Sequence, residues 1–414
     1  MMIKCYTYFH KKILAQVETL LKSFLHPEIQ AYVTSQMVTN QFQIEIGDDS
    51  FPVVINAPLP MGVHPRIVEI EEDLQVFIKK HRLYEGKEAG VAASKFGWLA
   101  SLVMPVLGYN ETLGLAKYFL ALFAHDDALD KEKVDPSEQI AINRIMEDVL
   151  QDKIPLVDSH PNRIKAIKEV FDVSFKPLKT EESSFKYFYE TLRKYLSSIE
   201  SEAHAEWAVL QINAEVVSKS QPGRTESPKP QLKVSEKIYE INRPETSGIY
   251  NAFAATCLLL GINSEKVEKT HADVRHMIDF MVQAASWLND IVSAPKELAA
   301  LKKKFTGLSS KELKSKVTSN LVLIKWRDGR SFEDGVMQTV EKYQEALDGF
   351  YELKTKLEQS GAMADPEVKA LVVSLEGWFF GHPLWCGSGR YNKGVPAKWL
   401  ESPDTFDVHI KSLK

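Results

Sequence analysis

Apolar residues recur at three- and four-residue intervals along most of the chain, which is the spacing of one face of an α-helix. The clearest runs are residues 98–107, 113–129, 185–210, 274–301, 332–357 and 367–380. We find no convincing run of alternating apolar and polar residues of the kind that indicates a β-strand, and most glycines and prolines fall between the helical runs. The pattern predicts about ten helices packed into one large all-α bundle.

Two segments depart from this pattern. Residues 1–40 precede a stretch rich in proline, 51–65, and we expect them to form an N-terminal helical extension. Residues 214–232 are polar and contain three prolines, which predicts a mobile surface loop. Neither segment separates two apolar cores, so residues 41–414 are expected to form a single α domain.

Composition narrows the class of protein. The 414 residues are 44% apolar and 26% charged, which is ordinary for a soluble globular protein. The net charge of -5 provides no basic surface for nucleic acid, and no apolar run reaches the length needed to span a membrane. The three cysteines, Cys5, Cys257 and Cys386, are far apart and odd in number. They argue against a disulfide framework and favour a reducing, cytoplasmic setting.

The first candidate site is a cluster of three aspartates at the end of an apolar run, Asp126, Asp127 and Asp130. Asp126 and Asp130 are one helical turn apart, so their carboxylates project from the same face. Carboxylates this close repel one another unless a cation neutralises them, and hard oxygen ligands suit Mg²⁺. An exposed acidic helix end is the plainer interpretation, and this cluster alone does not decide between the two.

The second candidate site is a row of polar residues, Asn289, Ser293 and Glu297, spaced at i, i+4 and i+8. Their amide, hydroxyl and carboxylate oxygens lie along one helical face over ~12 Å and are all ligands that Mg²⁺ accepts. Lys296 lies beside the row, where it would meet a phosphate. The alternative is a polar helix face that Pro295 ends or bends. A pattern this specific rarely arises by chance, which favours a metal site.

Together the two clusters resemble the aspartate-rich motif and the Asn-Asp-x-x-Ser-x-x-Lys-Glu motif of class I terpene cyclases. Arg243, within 242–248, resembles the diphosphate-sensing arginine of that family, which a helix break follows. Trp378, Trp385 and Arg390-Tyr391 are similar to the family's Trp-x6-Trp-x4-Arg-Tyr ending. The resemblance to the single-domain microbial type covers about residues 41–400 and implies a class I isoprenoid synthase helical bundle. The length of the 214–232 loop departs from the family pattern.

This resemblance implies a carbon–oxygen lyase that acts on phosphates. The enzyme would ionise an acyclic prenyl diphosphate with Mg²⁺, release diphosphate and cyclise the carbocation. Three Mg²⁺ ions are implied: Asp126 would hold two of them, helped by Asp130 or Asp127. The third would be held by the ligand row, Asn289, Ser293 and Glu297.

The resemblance also implies groups that bind the diphosphate and guide the carbocation. Arg243 and Arg390 would supply bidentate hydrogen bonds, with Tyr391 and Lys296 as further donors. Phe123 lies three residues before Asp126 and shares its face, and we expect Phe123 and Trp385 to stabilise the cation through their rings. An aromatic residue in a large bundle is more often plain core, and this alternative applies to both.

The substrate length and two rival functions stay open. The small side chains of Ala121 and Ala124 near the pocket slightly favour a C20 substrate, geranylgeranyl diphosphate, over C15 farnesyl diphosphate. One rival is a chain-elongating prenyl diphosphate synthase, which has a second aspartate-rich motif where this chain has 289–293. The other is a non-catalytic isoprenoid- or phosphate-binding relative, which the complete set of ligand residues disfavours. The expected partners are the prenyl diphosphate and the diphosphate product, with a homodimer left open.

Overall fold

The computed structural model describes residues 38–46, 49–57, 63–105, 107–131, 136–178, 182–219, 233–386 and 390. Some of these have a described backbone but no described side chain, namely residues 38–57 where described, 88, 130, 131, 206–219 and 384. The N-terminal extension predicted for residues 1–40 lies outside the described part, except for its last three residues.

The described part of the chain contains fifteen α-helices, and the prediction of an all-α bundle is confirmed. The helices are α1 (Ile67–Lys80), α2 (Glu88–Ala92), α3 (Phe96–Val103), α4 (Tyr109–Lys131), α5 (Pro136–Leu150), α6 (Asn162–Val170), α7 (Glu182–Lys219), α8 (Glu236–Thr246), α9 (Ile249–Leu260), α10 (Ser264–Thr270), α11 (Ala272–Lys304), α12 (Ser310–Lys314), α13 (Leu321–Arg327), α14 (Phe332–Gln359) and α15 (Pro366–Cys386). A π-helical turn, Phe171–Phe175, follows α6, and a 3₁₀ turn, Ala362–Ala364, precedes α15.

Five of the six predicted helical runs lie inside a single helix, and the sixth is shorter than its apolar pattern. The run over 98–107 ends at Val103, because Pro105 disfavours helical backbone at the preceding residue, Met104. In the other direction, α7 continues to Lys219 and includes the first six residues of the loop predicted over 214–232. Residues 220–232 lie outside the described part of the chain.

A β-hairpin precedes the bundle, and the sequence pattern did not predict it. Strands β1 (Val38–Ile46) and β2 (Asp49–Ala57) pair antiparallel, from Val38 opposite Ala57 to Ile46 opposite Asp49. The expectation of no strands was therefore wrong here, and residues 38–40 belong to β1 rather than to a helical extension. The missed signal is the short alternation of polar and apolar residues over 41–46, with Gly47 next in the sequence.

The core of the bundle is built around α4 and α11. Helix α4 packs against α3 and α6, whereas α11 packs against α14 and α15. Phe119, Leu120 and Ala121 on α4 are at most 2% exposed, and Ile278 and Leu288 on α11 are fully buried. Consecutive buried residues such as 119–121 point to different sides of a helix, so this part of α4 is surrounded by the bundle. None of the described helices is long and apolar enough to cross a membrane.

Helices α3 and α15 approach each other at a glycine. A Cβ atom on Gly381 would lie 2.4 Å from the carbonyl carbon of Leu102 and 2.6 Å from the amide nitrogen of Val103. Backbone atoms cannot rotate away as a side chain can, so this contact requires glycine. It holds the end of α15, and with it Trp385, against α3.

We predict that Gly381→Ala lowers the free energy of unfolding by about 1–3 kcal/mol, because the added methyl group overpacks the contact between the two helices. The matched control is Gly90→Ala in α2, where a Cβ would meet nothing within 4 Å. That variant should be as stable as the parent or gain up to about 1 kcal/mol from helix propensity. Urea denaturation of both proteins measures the difference. A Gly381→Ala protein with parental stability would contradict the close approach of α3 and α15.

Candidate active site

The aspartate-rich motif lies at the end of α4, where three other parts of the chain reach it. The hydroxyl of Tyr195, on α7, donates to Oδ1 of Asp126 at 3.2 Å. Tyr84 donates its hydroxyl to Oδ2 of Asp127 at 2.8 Å, and Nη1 of Arg390 donates to the same oxygen at 3.3 Å. Asp127 therefore ties the segment after α1 and the C-terminal segment to the motif. Of Asp130 only the backbone is described.

The charges around Asp126 show which groups share its surroundings. Burial raises the pKa of Asp126, and the neighbouring carboxylate of Asp127 raises it further. The guanidinium groups of Arg390 and Arg243 both oppose that rise, so both positive charges act on this one carboxylate. Both guanidinium groups are therefore close enough to Asp126 for their charges to act on it, although the two arginines are far apart in the sequence.

The ligand row lies on α11, as its spacing predicted. Asn289 and Glu297 are partly exposed and Ser293 is buried. Burial raises the pKa of Glu297, the charge of Asp290 adds to the rise, and hydrogen bonds from Ser293 and Asn320 oppose it. Glu297 follows Ser293 by one helical turn, so the two side chains lie on the same face of α11. Lys296 is exposed on the solvent side of the helix.

Arg243 is bound to the beginning of this row. From α8, its Nε donates to Oδ1 of Asp290 at 2.9 Å and its Nη2 donates to Oδ1 of Asn289 at 2.8 Å. The hydroxyl of Tyr239 donates to Oδ2 of Asp290 at 2.9 Å, and the backbone N–H of Leu321 donates to the same oxygen at 2.8 Å. Burial disfavours the charge of Arg243, but the adjacent Asp290 keeps the pKa of the guanidinium well above its ordinary value.

Aromatic rings line the approach to Asp127. The ring of Phe123 lies 5.0 Å from that of Phe96 and 5.7 Å from that of Trp385, measured between centroids. The guanidinium carbon of Arg390 lies 4.3 Å from the centroid of Phe123, in a cation–π contact. The indole N–H of Trp385 donates to the carbonyl oxygen of Ser94 at 2.7 Å, which fixes its ring. The structure thus brings Phe123, Trp385 and Arg390 together, whereas Tyr391 lies outside the described residues.

Sequence reasoning missed several residues of this site. Asp290 was counted only as part of a motif, yet its carboxylate is 1% exposed and binds three partners. Tyr84 has a left-handed backbone, with φ 57°, which is unusual for a bulky residue and had no signal in the sequence. Two more residues belong to the site and were not predicted. Tyr239 is buried on α8, and the side chain of Asn320 contacts Ser293.

The donor atoms of the site fit a hard divalent cation. Asp126 and Asp127 are adjacent carboxylates whose mutual repulsion a cation would relieve, and the row on α11 adds an amide, a hydroxyl and a carboxylate oxygen. Among the side chains that the structure describes, no three His, Cys, Asp or Glu residues form one cluster. The described oxygen donors thus form two sets, one on each of two helices.

Comparison with known proteins agrees with this geometry. Residues 235–345 match the family model described as terpene synthase family 2, C-terminal metal binding. That segment contains Arg243, the whole ligand row on α11 and Asn320. A comparison with curated protein sequences gave no match.

Solved structures share the fold at low sequence identity. Linalool/nerolidol synthase from Streptomyces clavuligerus, in complex with 2-fluorogeranyl diphosphate, is 14% identical, with a TM-score of 0.61 over 82% of this chain and 100% of that one. Germacradien-4-ol synthase from Streptomyces citricolor is 16% identical, with a TM-score of 0.59 over 78% and 94%. A variant of an SVS_A2 protein from ancestral sequence reconstruction is 16% identical, with a TM-score of 0.62 over 88% and 93%.

The bundle therefore has the class I terpene synthase helical fold. Residues 235–345 carry the C-terminal metal-binding region of terpene synthase family 2. The predicted resemblance to terpene synthases is confirmed by the family match over residues 235–345 and by the shared fold.

We predict that Asp290→Asn lowers the free energy of unfolding by about 3–5 kcal/mol, because it leaves the buried guanidinium of Arg243 without its counter-charge. Asp148→Asn is the control, since Asp148 pairs with Lys153 at 3.5 Å through half-exposed side chains, and such surface pairs contribute at most about 1 kcal/mol. Chemical denaturation of the two variants compares a buried with an exposed carboxylate. Equal, small losses would show that Asp290 does not carry the contact between α8 and α11.

Proposed function

We propose that this terpene synthase is a class I cyclase, which ionises an acyclic prenyl diphosphate with Mg²⁺, releases diphosphate and cyclises the carbocation. The observation that carries the proposal is that each of two arginines hydrogen-bonds one set of proposed ligands: Arg390 donates to Asp127, and Arg243 donates to Asn289. Both guanidinium charges also act on Asp126, which supports one shared site. A trianionic diphosphate ester needs such a concentration of positive charge opposite its metal-binding carboxylates.

Each residue then has a defined part in ionisation. Asp126, with Asp127 or Asp130, would hold two Mg²⁺ ions, and Asn289, Ser293 and Glu297 would hold the third. Magnesium supplies Lewis-acid stabilisation of the departing diphosphate. Arg243 and Arg390 would add bidentate hydrogen bonds to the phosphate oxygens, with Tyr391 and Lys296 as further donors. Each arginine is already held beside one of the two ligand sets, so its charge is present before the substrate arrives.

The aromatic rings support the proposed cyclisation. Phe123, Phe96 and Trp385 form a wall next to the aspartates, where a carbocation would be close to the point of ionisation. The face of Phe123 carries the guanidinium of Arg390, so this face is able to receive a cation. An aromatic face stabilises a cation by ~0.5–2 kcal/mol without supplying a nucleophile that would trap it.

The two alternative functions are less well supported than a cyclase. A chain-elongating synthase needs a second substrate site with a basic motif, and the matched family model is that of terpene synthases. A non-catalytic relative would not need complete ligand sets. For the substrate, we retain the slight preference for the C20 diphosphate, since Ala121 and Ala124 are small and lie in the same helix as the wall residue Phe123.

Two substitutions test the metal-dependent reaction. Asp126→Ala and Asn289→Ala should each abolish turnover while the helical circular dichroism signal stays unchanged, because each removes ligands without emptying the core. Asn162→Ala, on the exposed first turn of α6, is the matched control and should keep full activity. Diphosphate release with and without Mg²⁺ is the measurement. An Asn289→Ala enzyme with parental turnover would rule out the assignment of the row on α11.

The preference for chain length has its own test. Purified enzyme is incubated separately with geranylgeranyl and farnesyl diphosphate, and the extracts are analysed by gas chromatography with mass spectrometry. We expect cyclic products from both with a higher kcat/KM for the C20 substrate, because the small alanines leave more room for the longer chain. Turnover of farnesyl diphosphate alone would overturn the preference and leave the reaction class intact. An elongated diphosphate as product would instead identify a prenyl diphosphate synthase.

A further inference from the structure

Asn320 occupies an unusual place at the beginning of α13. Its side chain is 1% exposed, and its backbone has φ 69°, in the left-handed region that few residues other than glycine adopt. Its ψ of 115° lies outside the left-handed helical well in which asparagine is common, so the backbone is strained. A strained and buried polar residue beside a functional site indicates that its side chain has a defined task there.

All the polar atoms of the Asn320 side chain are engaged. Its Oδ1 accepts hydrogen bonds from the backbone N–H groups of Val322 at 3.1 Å and Leu323 at 3.3 Å, which caps α13. Its Nδ2 donates to the backbone carbonyl of Asp290 at 2.9 Å and to Oγ of Ser293 at 3.1 Å. The cap holds the oxygen end in place, so the NH₂ end is aimed at the ligand row on α11.

This arrangement determines how the hydroxyl of Ser293 is oriented. A serine hydroxyl has one hydrogen and two lone pairs. Asn320 donates to one of these lone pairs at 3.1 Å. The hydroxyl therefore keeps its hydrogen and one lone pair, and its bond to the buried amide limits the directions in which they point. Glu297, one helical turn further along α11, is close enough to both side chains for them to stabilise its charge.

We propose that Asn320 is a positioning residue for the metal ligands on α11: its amide holds the hydroxyl of Ser293, one turn before Glu297, so that the remaining lone pair of the hydroxyl faces the same divalent cation as the Glu297 carboxylate. The inference rests on the proposed function, because it needs the row on α11 to bind Mg²⁺. Partners that orient metal ligands in this way contribute about 10- to 100-fold to metal affinity. Without the amide, the hydroxyl of Ser293 would rotate freely and would have to be ordered each time the cation binds.

The chain provides a matched control for a substitution at this position. Asn263 caps α10 by accepting from the N–H of Lys266 at 3.1 Å, and its Nδ2 donates to Oγ of Ser183 at 2.8 Å. It therefore has the same two tasks as Asn320, a helix cap and a bond to a serine hydroxyl, but at a site remote from the ligand row. Replacing a capping asparagine with glycine costs only a few tenths of a kcal/mol, and glycine accepts the left-handed backbone of Asn320.

The experiment compares Asn320→Gly, Asn263→Gly and the parent protein. Each is titrated with Mg²⁺ in the presence of inorganic diphosphate, and the half-saturating Mg²⁺ concentration is read from isothermal calorimetry and from the rise in melting temperature. We expect a value about 10- to 100-fold higher for Asn320→Gly and a parental value for Asn263→Gly. Saturating Mg²⁺ should restore most of the kcat of Asn320→Gly, since the ligands themselves are intact.

Each outcome has a distinct meaning. Parental Mg²⁺ binding by Asn320→Gly would overturn the positioning role and leave the proposed function standing. A parent protein that binds no Mg²⁺ with diphosphate would overturn the proposed function itself. If Asn320→Gly does not fold, Asn320→Ser replaces it, because a serine keeps a capping oxygen but is too short to reach Ser293. The same increase in half-saturating Mg²⁺ is then required.

Discussion

The carboxylate of Asp290 is the contact on which the arrangement of this site depends. It is buried on α11 and binds Arg243 and Tyr239 from α8 and the first backbone N–H of α13. A buried charge is stable only when it is paired and fully hydrogen-bonded, so the three helices have little freedom to move independently. The positions of Asn289, Arg243 and Asn320 follow from this single carboxylate.

Asp127 has the corresponding part on the other side of the site. Tyr84 and Arg390 donate to the same oxygen, which joins α4 to segments from both ends of the bundle. Arg243 is bound to Asn289, which belongs to one proposed ligand set, and to the neighbouring Asp290. Arg390 is bound to Asp127, which belongs to the other set. A diphosphate would compete for those guanidinium groups, so binding it must rearrange contacts that hold α8 and the C-terminal segment. In the proposed reaction, such coupling would link ionisation to closure of the site around the substrate.

The wall of aromatic rings follows from packing as much as from chemistry. Trp385 is fully buried and held by the backbone at Ser94, and Gly381 allows α15 to reach α3 closely enough for this bond. A ring fixed in this way has a constant position relative to Asp126 and Asp127. In the proposed cyclisation, the product formed from the carbocation depends on small differences in contact energy. The rigidity of the aromatic wall is therefore more important for the choice of product than the number of its rings.

Much of the fold and of the candidate site was predictable from local spacing. The helices of the bundle were predictable from apolar periodicity, because the residue pattern of a few turns shows whether one face of a helix or all of its faces are buried. The ligand row, Asn289, Ser293 and Glu297, was predictable for the same reason, since i, i+4 and i+8 positions share a face in any α-helix. Phe123 and Asp126 are likewise related by one turn. The hairpin over 38–57 was missed because its alternation extends over too few residues to stand out.

Only the tertiary structure decided which residues complete the site. Tyr84 and Arg390 meet on Asp127, and Tyr239, Arg243 and Leu321 meet on Asp290, from positions far apart in the chain. Asn320 has its proposed positioning role because it contacts Ser293 on another helix, and the residues around it in the sequence do not indicate that partner. Residue type and spacing determine what a side chain is able to bind, because both are local. Which partner it finds depends on long-range packing, because only packing brings separate helices within hydrogen-bond distance.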